Sequence, residues 1–515
     1  MSYYVREVQS RRKQGPDATY VYISESTYSP QTRKTKIRNV LSLGRKGDLD
    51  VRTLRRLVTQ LNHYLDQRPE GIPGDLETRE SRLFGPVAFY RGVWERAGFG
   101  EFFRERFEGR GFARPLAEVV FALVVQRIVR PGSKLACEHW VNEVAYFPEL
   151  EGVSVDLLYE AMDELIAEQE EIRRRMFFSA TDLLKLDVSV LFYDTTSTYF
   201  EIEEPDPEGG LRRYGNSKDE RPDRPQALVG IAVNRDGLPV RHWCFPGNTA
   251  DLTTLETVLE ELSALRPRAF YFVGDRAMVS QEVLDELESR GLGYLLGVPR
   301  RCGWEEIHDR ALSIRGRYQE VAENLRVKQT RFQEGLREIR LIQCYNPVEA
   351  RHDEELREAT LEDLEHELAT LRQDDEHSKR ACRLRASRRF GPYLKQTKRG
   401  HLAIDRSAAR ELARRDGKYV LMTNDLKTEV GELARGYKDL QHAERLFGKL
   451  KGVVGLRPNH HELPERIAAH VLLCVLATFL VRLAELNTGE TWTRIHRTLE
   501  PLHAVRFEAD GQQAV

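Results

Sequence analysis

The stretch Val188-Ser189-Val190-Leu191-Phe192-Tyr193-Asp194-Thr195-Thr196-Ser197-Thr198-Tyr199 runs apolar and β-branched residues into a single carboxylate. A short run this rich in Val and aromatics reads as a strand buried on both faces, with Asp194 at its end. A charge in that place is costly unless something compensates it. A hard divalent cation is one compensation, and such cations take oxygen ligands. The other reading is a turn beginning at Asp194, with Thr195 and Ser197 satisfying backbone groups. Asp194 alone does not choose between the two, because a metal needs further ligands.

Outward from that stretch the pattern alternates. Gln226–Val233 and Leu238–Phe245 read as strands joined by the hairpin turn Asn234-Arg235-Asp236-Gly237. Asp251 caps a predicted helix over Leu252–Leu265. Ala269–Gly274 reads as a buried strand, Ser280–Arg290 as a helix and Gly293–Val298 as another strand. Strands alternating with helices predict an α/β mixed sheet with helices on its faces. Asp275 ends the strand Ala269–Gly274 as Asp194 ends its own, and parallel strands gather ligands at that edge. The pattern breaks at Pro299 and resumes at Lys418–Asn424, followed by a predicted helix over Val430–Lys451 and a buried one over Arg466–Leu486. Along one helix Tyr437, Glu444 and Lys451, seven apart, share a face. A salt-bridged surface helix is the plainer reading of that face.

The interruption, 300–416, has its own layout. Arg317–Tyr345 reads as strands and Arg351–Gln373 as an acidic helix with leucines on one face. Lys379–Arg399 then carries nine Lys/Arg and no Asp/Glu. It is either a nucleic-acid contact or a basic stretch folded onto the acidic helix beside it. Upstream, 84–186 reads as helical scaffold. Leu116–Val129 is almost wholly apolar, Ser133 caps Lys134–Val144, and an apolar stripe runs through Val155–Phe178. Trp94 and Trp140 read as core. The first 70 residues hold 14 Lys/Arg against 7 Asp/Glu, with strands predicted at Tyr20–Ser24 and Ile37–Leu43 and a helix at Val51–Asp66. Their basic clusters are candidate phosphate contacts or a solvated face.

The 515 residues allow two to four domains. A formal net charge of −2 gives no global signal for nucleic acid, so any such signal is local. Six scattered cysteines without a CxxC pair argue against a zinc site or disulfide scaffold and suit a reducing cytoplasm. The N-terminus has no apolar signal core, and Ala468–Leu483 is shorter than the ~20 residues of a membrane span. The expected division is a basic N-terminal region 1–80 that is a candidate DNA contact, a helical domain 81–186, a sheet core in two parts (187–299 and 417–487), an insertion 300–416, and a tail 488–515.

The segment around Tyr437, Glu444 and Lys451 resembles the third-acid signature of insertion-sequence transposases with an Asp-Asp-Glu triad, the "IS four"-like superfamily. Phe192-Tyr193-Asp194-Thr195-Thr196 resembles the first-acid strand, and Gly274-Asp275-Arg276-Ala277-Met278 the second. Tyr214-Gly215-Asn216-Ser217-Lys218 and Phe245-Pro246-Gly247-Asn248-Thr249-Ala250-Asp251 resemble the segments between them. The likeness covers about 190 to 480, and five motifs in the right order are more specific than any one. Leu440 departs from the pattern, which often has Arg there, so a terminal-phosphate grip and hairpin-forming cleavage are not implied.

The resemblance implies a ribonuclease-H-like catalytic core interrupted by an insertion. Asp194, Asp275 and Glu444 would be its catalytic and metal-binding acids, holding two Mg²⁺ or Mn²⁺. Tyr437, Lys451, Lys218 and Arg276 would contact DNA. The implied activity is cleavage at element ends and strand transfer into target DNA. The implied partners are double-stranded terminal repeats and target DNA, met by a homodimer in a paired-end complex at the nucleoid of a bacterial cytoplasm, with no membrane. The alternatives are a nuclease on the same fold that never joins ends, a non-catalytic DNA-binding descendant, and an unrelated multidomain α/β protein.

Overall fold

The structure is a computed structural model that describes residues 2–10, 18–29, 34–46, 77–108, 115–150, 152–179, 190–264, 271–274, 276, 279–300, 303–334, 337–371, 377–509 and 512–514. Val188, Ser189, Asp275, the predicted helix Val51–Asp66 and its basic group Arg52, Arg55 and Arg56 lie outside these. Two compact units form, Met1–Glu80 with Val505–Val515, and Ser81–Ala504.

In the first unit, β1 (Ser2–Ser10), β2 (Ala18–Ser29) and β3 (Lys34–Arg45) make an antiparallel sheet in the order β1-β2-β3. The strands are longer than the hydrophobic pattern suggests, and β1 carries almost no pattern at all. Its polar residues alternate without an apolar face, so only pairing with β2 defines it. The predicted tail also acquires structure. Strands β16 (His503–Ala509) and β17 (Gln512–Ala514) join β4 (Glu77–Leu83) in a sheet of order β17-β16-β4.

The second unit is built on a nine-stranded mixed sheet. Its members are β5 (Val190–Tyr199), β6 (Gln226–Val233), β7 (Pro239–Pro246), β8 (Tyr271–Gly274), β9 (Gly293–Gly297), β10 (Gln319–Ala322), β11 (Leu325–Glu334), β12 (Arg337–Tyr345) and β15 (Lys418–Thr423). The order is β10-β11-β12-β15-β9-β8-β5-β6-β7, with β5, β8 and β9 parallel and the other pairings antiparallel. Asn234 makes the β6–β7 turn. Its side-chain oxygen accepts from the Asp236 and Leu238 amides at 3.1 and 2.9 Å, while Gly237 takes φ +73°, which a side chain would resist.

Helix Pro464–Thr488 lies against β7, helices Leu116–Val129 and Val155–Ala167, and the acid-bearing helix Leu440–Gly452. It is long and apolar enough to cross a membrane, but 89% of its most apolar window is buried inside this fold. An apolar helix with no polar stripe has this alternative, the centre of a large helical layer. Trp94 and Trp140 are buried in that layer, Trp94 stacked on Phe103 at 5.3 Å. The striped stretch Val155–Phe178 is two helices, divided at Glu168, whose buried carboxylate stands 3.5 Å from Arg106.

Residues 300–416 do two things. β10–β12 extend the central sheet through the β12–β15 ladder. Helices Pro347–Leu371 and His377–Ala386 instead enclose a small core of Leu364, Leu368, Leu371 and Leu384, packed against the antiparallel pair β13 (Leu394–Gln396) and β14 (Leu402–Ile404). The basic stretch folds onto the acidic helix: Arg380 donates to Glu367 at 2.9 Å and Arg389 pairs with Asp363. Among the two readings of that charge asymmetry, this is the intramolecular one.

Candidate active site

Asp194 lies inside β5, not at its end. On the β6 side the ladder continues without a slip from Phe192↔Val233 through Asp194↔Ile231 to Tyr199↔Gln226. On the β8 side it stops at Phe192↔Val273, because β8 ends at Gly274. The strand outlasts its short parallel neighbour, and Asp194 sits two residues beyond the last shared rung. Its carboxylate is 31% exposed in an otherwise buried strand, so it opens onto the step where β8 stops. Asp275 follows Gly274 and lies outside the described residues.

A loop folds back over this step. Ser197 Oγ accepts from the Lys218 amide at 3.2 Å and donates to Asp219 Oδ2 at 3.2 Å, while Ser217 Oγ accepts from the Arg221 amide at 3.1 Å. The Lys218 ammonium donates to the Thr195 carbonyl at 2.8 Å and also to its hydroxyl, and stands 3.6 Å from Asp194 Oδ1. A protein cation thus already sits where the strand concentrates negative charge. Asp194 Oδ1 also accepts from the Thr195 amide at 2.7 Å.

The third-acid segment is not one helix. Val430–Lys438 ends with the Asp439 amide bonded to the Arg435 and Gly436 carbonyls, and a second helix runs over Leu440–Gly452. The tightened turn buries Leu440, at 6% exposure. The seven-residue spacing therefore relates Glu444 to Lys451 along one axis, but not Tyr437 to either. Leu446, Phe447 and Leu450 face the core, whereas Glu444 is exposed. Lys449 pairs with Glu485 of the central helix.

The ends of this two-helix segment are anchored at different strands. Tyr437 stacks on Tyr419 of β15 with centroids 5.9 Å apart. A Cβ on Gly297 of β9 would come within 2.5 Å of the Tyr437 hydroxyl and 2.8 Å of Arg276 Cγ, so both side chains pack closely on that glycine. At the other end Lys451 Nζ donates to Asp219 Oδ1 at 2.6 Å, and Arg457 pairs with the same carboxylate. Just past the helix, the Leu456 carbonyl accepts from Thr198 Oγ1 of β5 at 3.0 Å. Thr198 and Asp194 share a face of β5, since alternate residues point the same way. Helix Leu440–Gly452 itself packs against β5.

Asp219, whose side chain is 1% exposed, carries no sequence signal of its place here. In the run Lys218-Asp219-Glu220-Arg221 it looks like one more solvated loop charge. Positive charge also gathers beyond β9. Burial, together with the neighbouring Arg276 and Arg415, pushes the Arg300 guanidinium below its ordinary value. Among the described residues no three His, Cys, Asp or Glu side chains gather closely enough to hold a metal ion.

Residues 195–480 match the family of the transposase DDE domain. The chain belongs to the DDE transposase family. It is a DNA transposase, an enzyme that acts on DNA. Among solved structures, this transposase is similar to a piggyBac transposase synaptic complex with hairpin DNA, 10% identical over 82% of each chain with a TM-score of 0.37. It is also similar to a Mos1 transposase paired-end complex with left transposon end, 13% identical over 50% of this chain and 68% of that one, TM-score 0.15. No curated protein sequence matches it.

Proposed function

We propose that the transposase cuts DNA at the ends of its element and transfers the freed strands into target DNA, using Asp194, Asp275 and Glu444 on a ribonuclease-H-like core. Five neighbouring strands support that core: β7-β6-β5-β8-β9, an antiparallel hairpin beside three parallel strands. The observation that carries the site is the double anchoring of the third-acid segment, at β9 through Tyr437 and at β5 through Lys451 and Asp219. Glu444 is seven residues from each anchor, and Lys451 lies only two helical turns away, ~10.5 Å along the axis. This supports a position for Glu444 over the step between β9 and β5, where Asp194 opens and β8 leads into Asp275.

The donors fit Mg²⁺ or Mn²⁺. They are carboxylate oxygens without imidazole or thiolate, and Asp194 lies at a spot that already attracts the Lys218 cation. Bound there, such ions would activate the attacking oxygen and steady the leaving one. Asp194 is held for this by its β6 ladder and its Thr195 amide contact, so it needs no reordering. Lys218, tethered to the Thr195 carbonyl, is within reach to release Asp194 and meet a phosphate oxygen. Arg276 and Tyr437 stand together at Gly297 as further phosphate contacts, positioning DNA without reading its sequence. Lys451 would have to exchange Asp219 for a phosphate to act in that way. Two copies joined on paired ends, working at a bacterial nucleoid in the cytoplasm, complete the proposal.

The test is incubation of the full chain with duplexes carrying its own element ends and Mg²⁺. The expected products are cut ends and ends joined to target DNA. Nicking that never yields joined products would reduce the activity to that of a nuclease.

A further inference from the structure

A cavity of about 300 Å³ lies between helices Leu116–Val129, Lys134–His139 and Val155–Ala167, the 455–461 connection and the start of helix Pro464–Thr488. Arg127, Lys134, Arg457, His460, His461 and His470 are among its lining residues, and no Asp or Glu is among the described residues that line it. Arg127 and Lys134 are each only 4% exposed. Arg127 makes two weak contacts, to the Gly455 carbonyl at 3.5 Å and to Gln126 at 3.2 Å, and its buried Nε has no partner. The buried Nδ1 of His470 has none either.

Buried charges are paired or they are costly. Nothing in the cavity wall supplies the counter-charge. The nearby thiols of Cys137 and Cys474 are each pushed up to about 11 by burial, so they stay neutral. Burial, then the Arg127 charge, lowers the Lys134 ammonium to about 7. Burial, then Lys134 and Arg127, lowers His461 to about 4. Arg457 alone is answered, by Asp219 outside the cavity. A guanidinium keeps its charge where an ammonium or an imidazole can shed one.

We propose that this cavity is a phosphate-binding site, filled either by free phosphate or by a phosphodiester of bound DNA. Phosphate supplies the missing negative charge and several acceptors at once, matching the open Nε–H of Arg127 and the three donors of Lys134. The volume leaves room for the atoms flanking a phosphodiester. Through Arg457, Asp219 and Lys451 the cavity is linked to the end of the acid-bearing helix, so an occupant would bear on how that helix is held.

The test uses the full chain. Thermal melts are taken in rising sodium phosphate against sodium chloride of equal ionic strength, and affinity for end duplexes is measured over a salt series. Wild type is expected to gain about 5 °C in saturating phosphate, and Lys134→Met to gain nothing. Lys134→Met should fold, because it removes a buried charge with no partner among the described residues. If a DNA phosphodiester fills the site, phosphate also competes with duplex beyond its ionic strength, and Lys134→Met lowers the salt slope by about one. If free phosphate fills it, the melting gain appears while the slope stays the same. Equal wild-type melting in phosphate and chloride, with no competition against duplex, overturns the proposal. The melts involve no DNA, so they stand apart from the assignment of the catalytic acids.

Discussion

Asp194→Ala, Asp275→Ala and Glu444→Ala are each expected to slow cleavage of the element end by about 10³-fold or more, with duplex affinity changed little. The size follows from the work asked of the acids. Stabilising charge on a transferring phosphoryl group through a bound cation contributes several kcal/mol, and each 1.36 kcal/mol is tenfold in rate. Affinity should hold because it comes from cations on the phosphate backbone, while each of these changes removes a negative charge. Single-turnover cleavage and equilibrium binding, measured on the same preparations, check both halves. Glu444→Ala is the most exacting of the three. The helix that carries it is kept in place by Lys449, Lys451 and its apolar face, none of which the change touches. A fully active Glu444→Ala would take that residue out of the site.

Asp219→Ala is expected to be the most damaging change to the fold around the site. One buried carboxylate there answers both Lys451 and Arg457 and accepts from Ser197 of β5. Removing one partner from a buried charge cluster costs about 3–5 kcal/mol, because the remaining charges are left in low dielectric without compensation. Cleavage should fall with it, since Asp219 ties the acid-bearing helix to β5. Asp219→Asn keeps the shape and part of the hydrogen bonding, so it should lose less. Denaturant unfolding of both variants is the measurement. A loss within about 0.5 kcal/mol for the alanine variant, the range of ordinary surface changes, would show that Asp219 is not the tie described.

The parts of this fold that were legible in the sequence are those written in local chemistry. Leu116–Val129 is apolar without a break and is a helix over those same residues. Ser133 accepts from the Ala136 amide at 3.1 Å as the cap it resembles. The Asn234–Gly237 turn folds as its residues require. Asp194 stood out because a carboxylate inside an apolar run needs a reason. What stayed hidden depends on partners distant in the chain. Asp194 lies mid-strand because β8 is short on one side and β6 long on the other, which no local pattern records. The break at Asp439 follows from burying Leu440, and periodicity alone runs straight through it. β10–β12 resemble a separate domain in composition, yet the β12–β15 ladder adds them to the central sheet. Asp219 and Lys134 are common residue types whose burial is set by segments more than 200 positions away.

The most direct test of the account is diffraction from crystals soaked in Mn²⁺, recorded at the manganese absorption edge. Anomalous peaks are expected between the carboxylates of Asp194, Asp275 and Glu444, coordinated by them. Well-occupied manganese bound elsewhere, with Asp194 still beside Lys218 and Glu444 turned out to solvent, would contradict it.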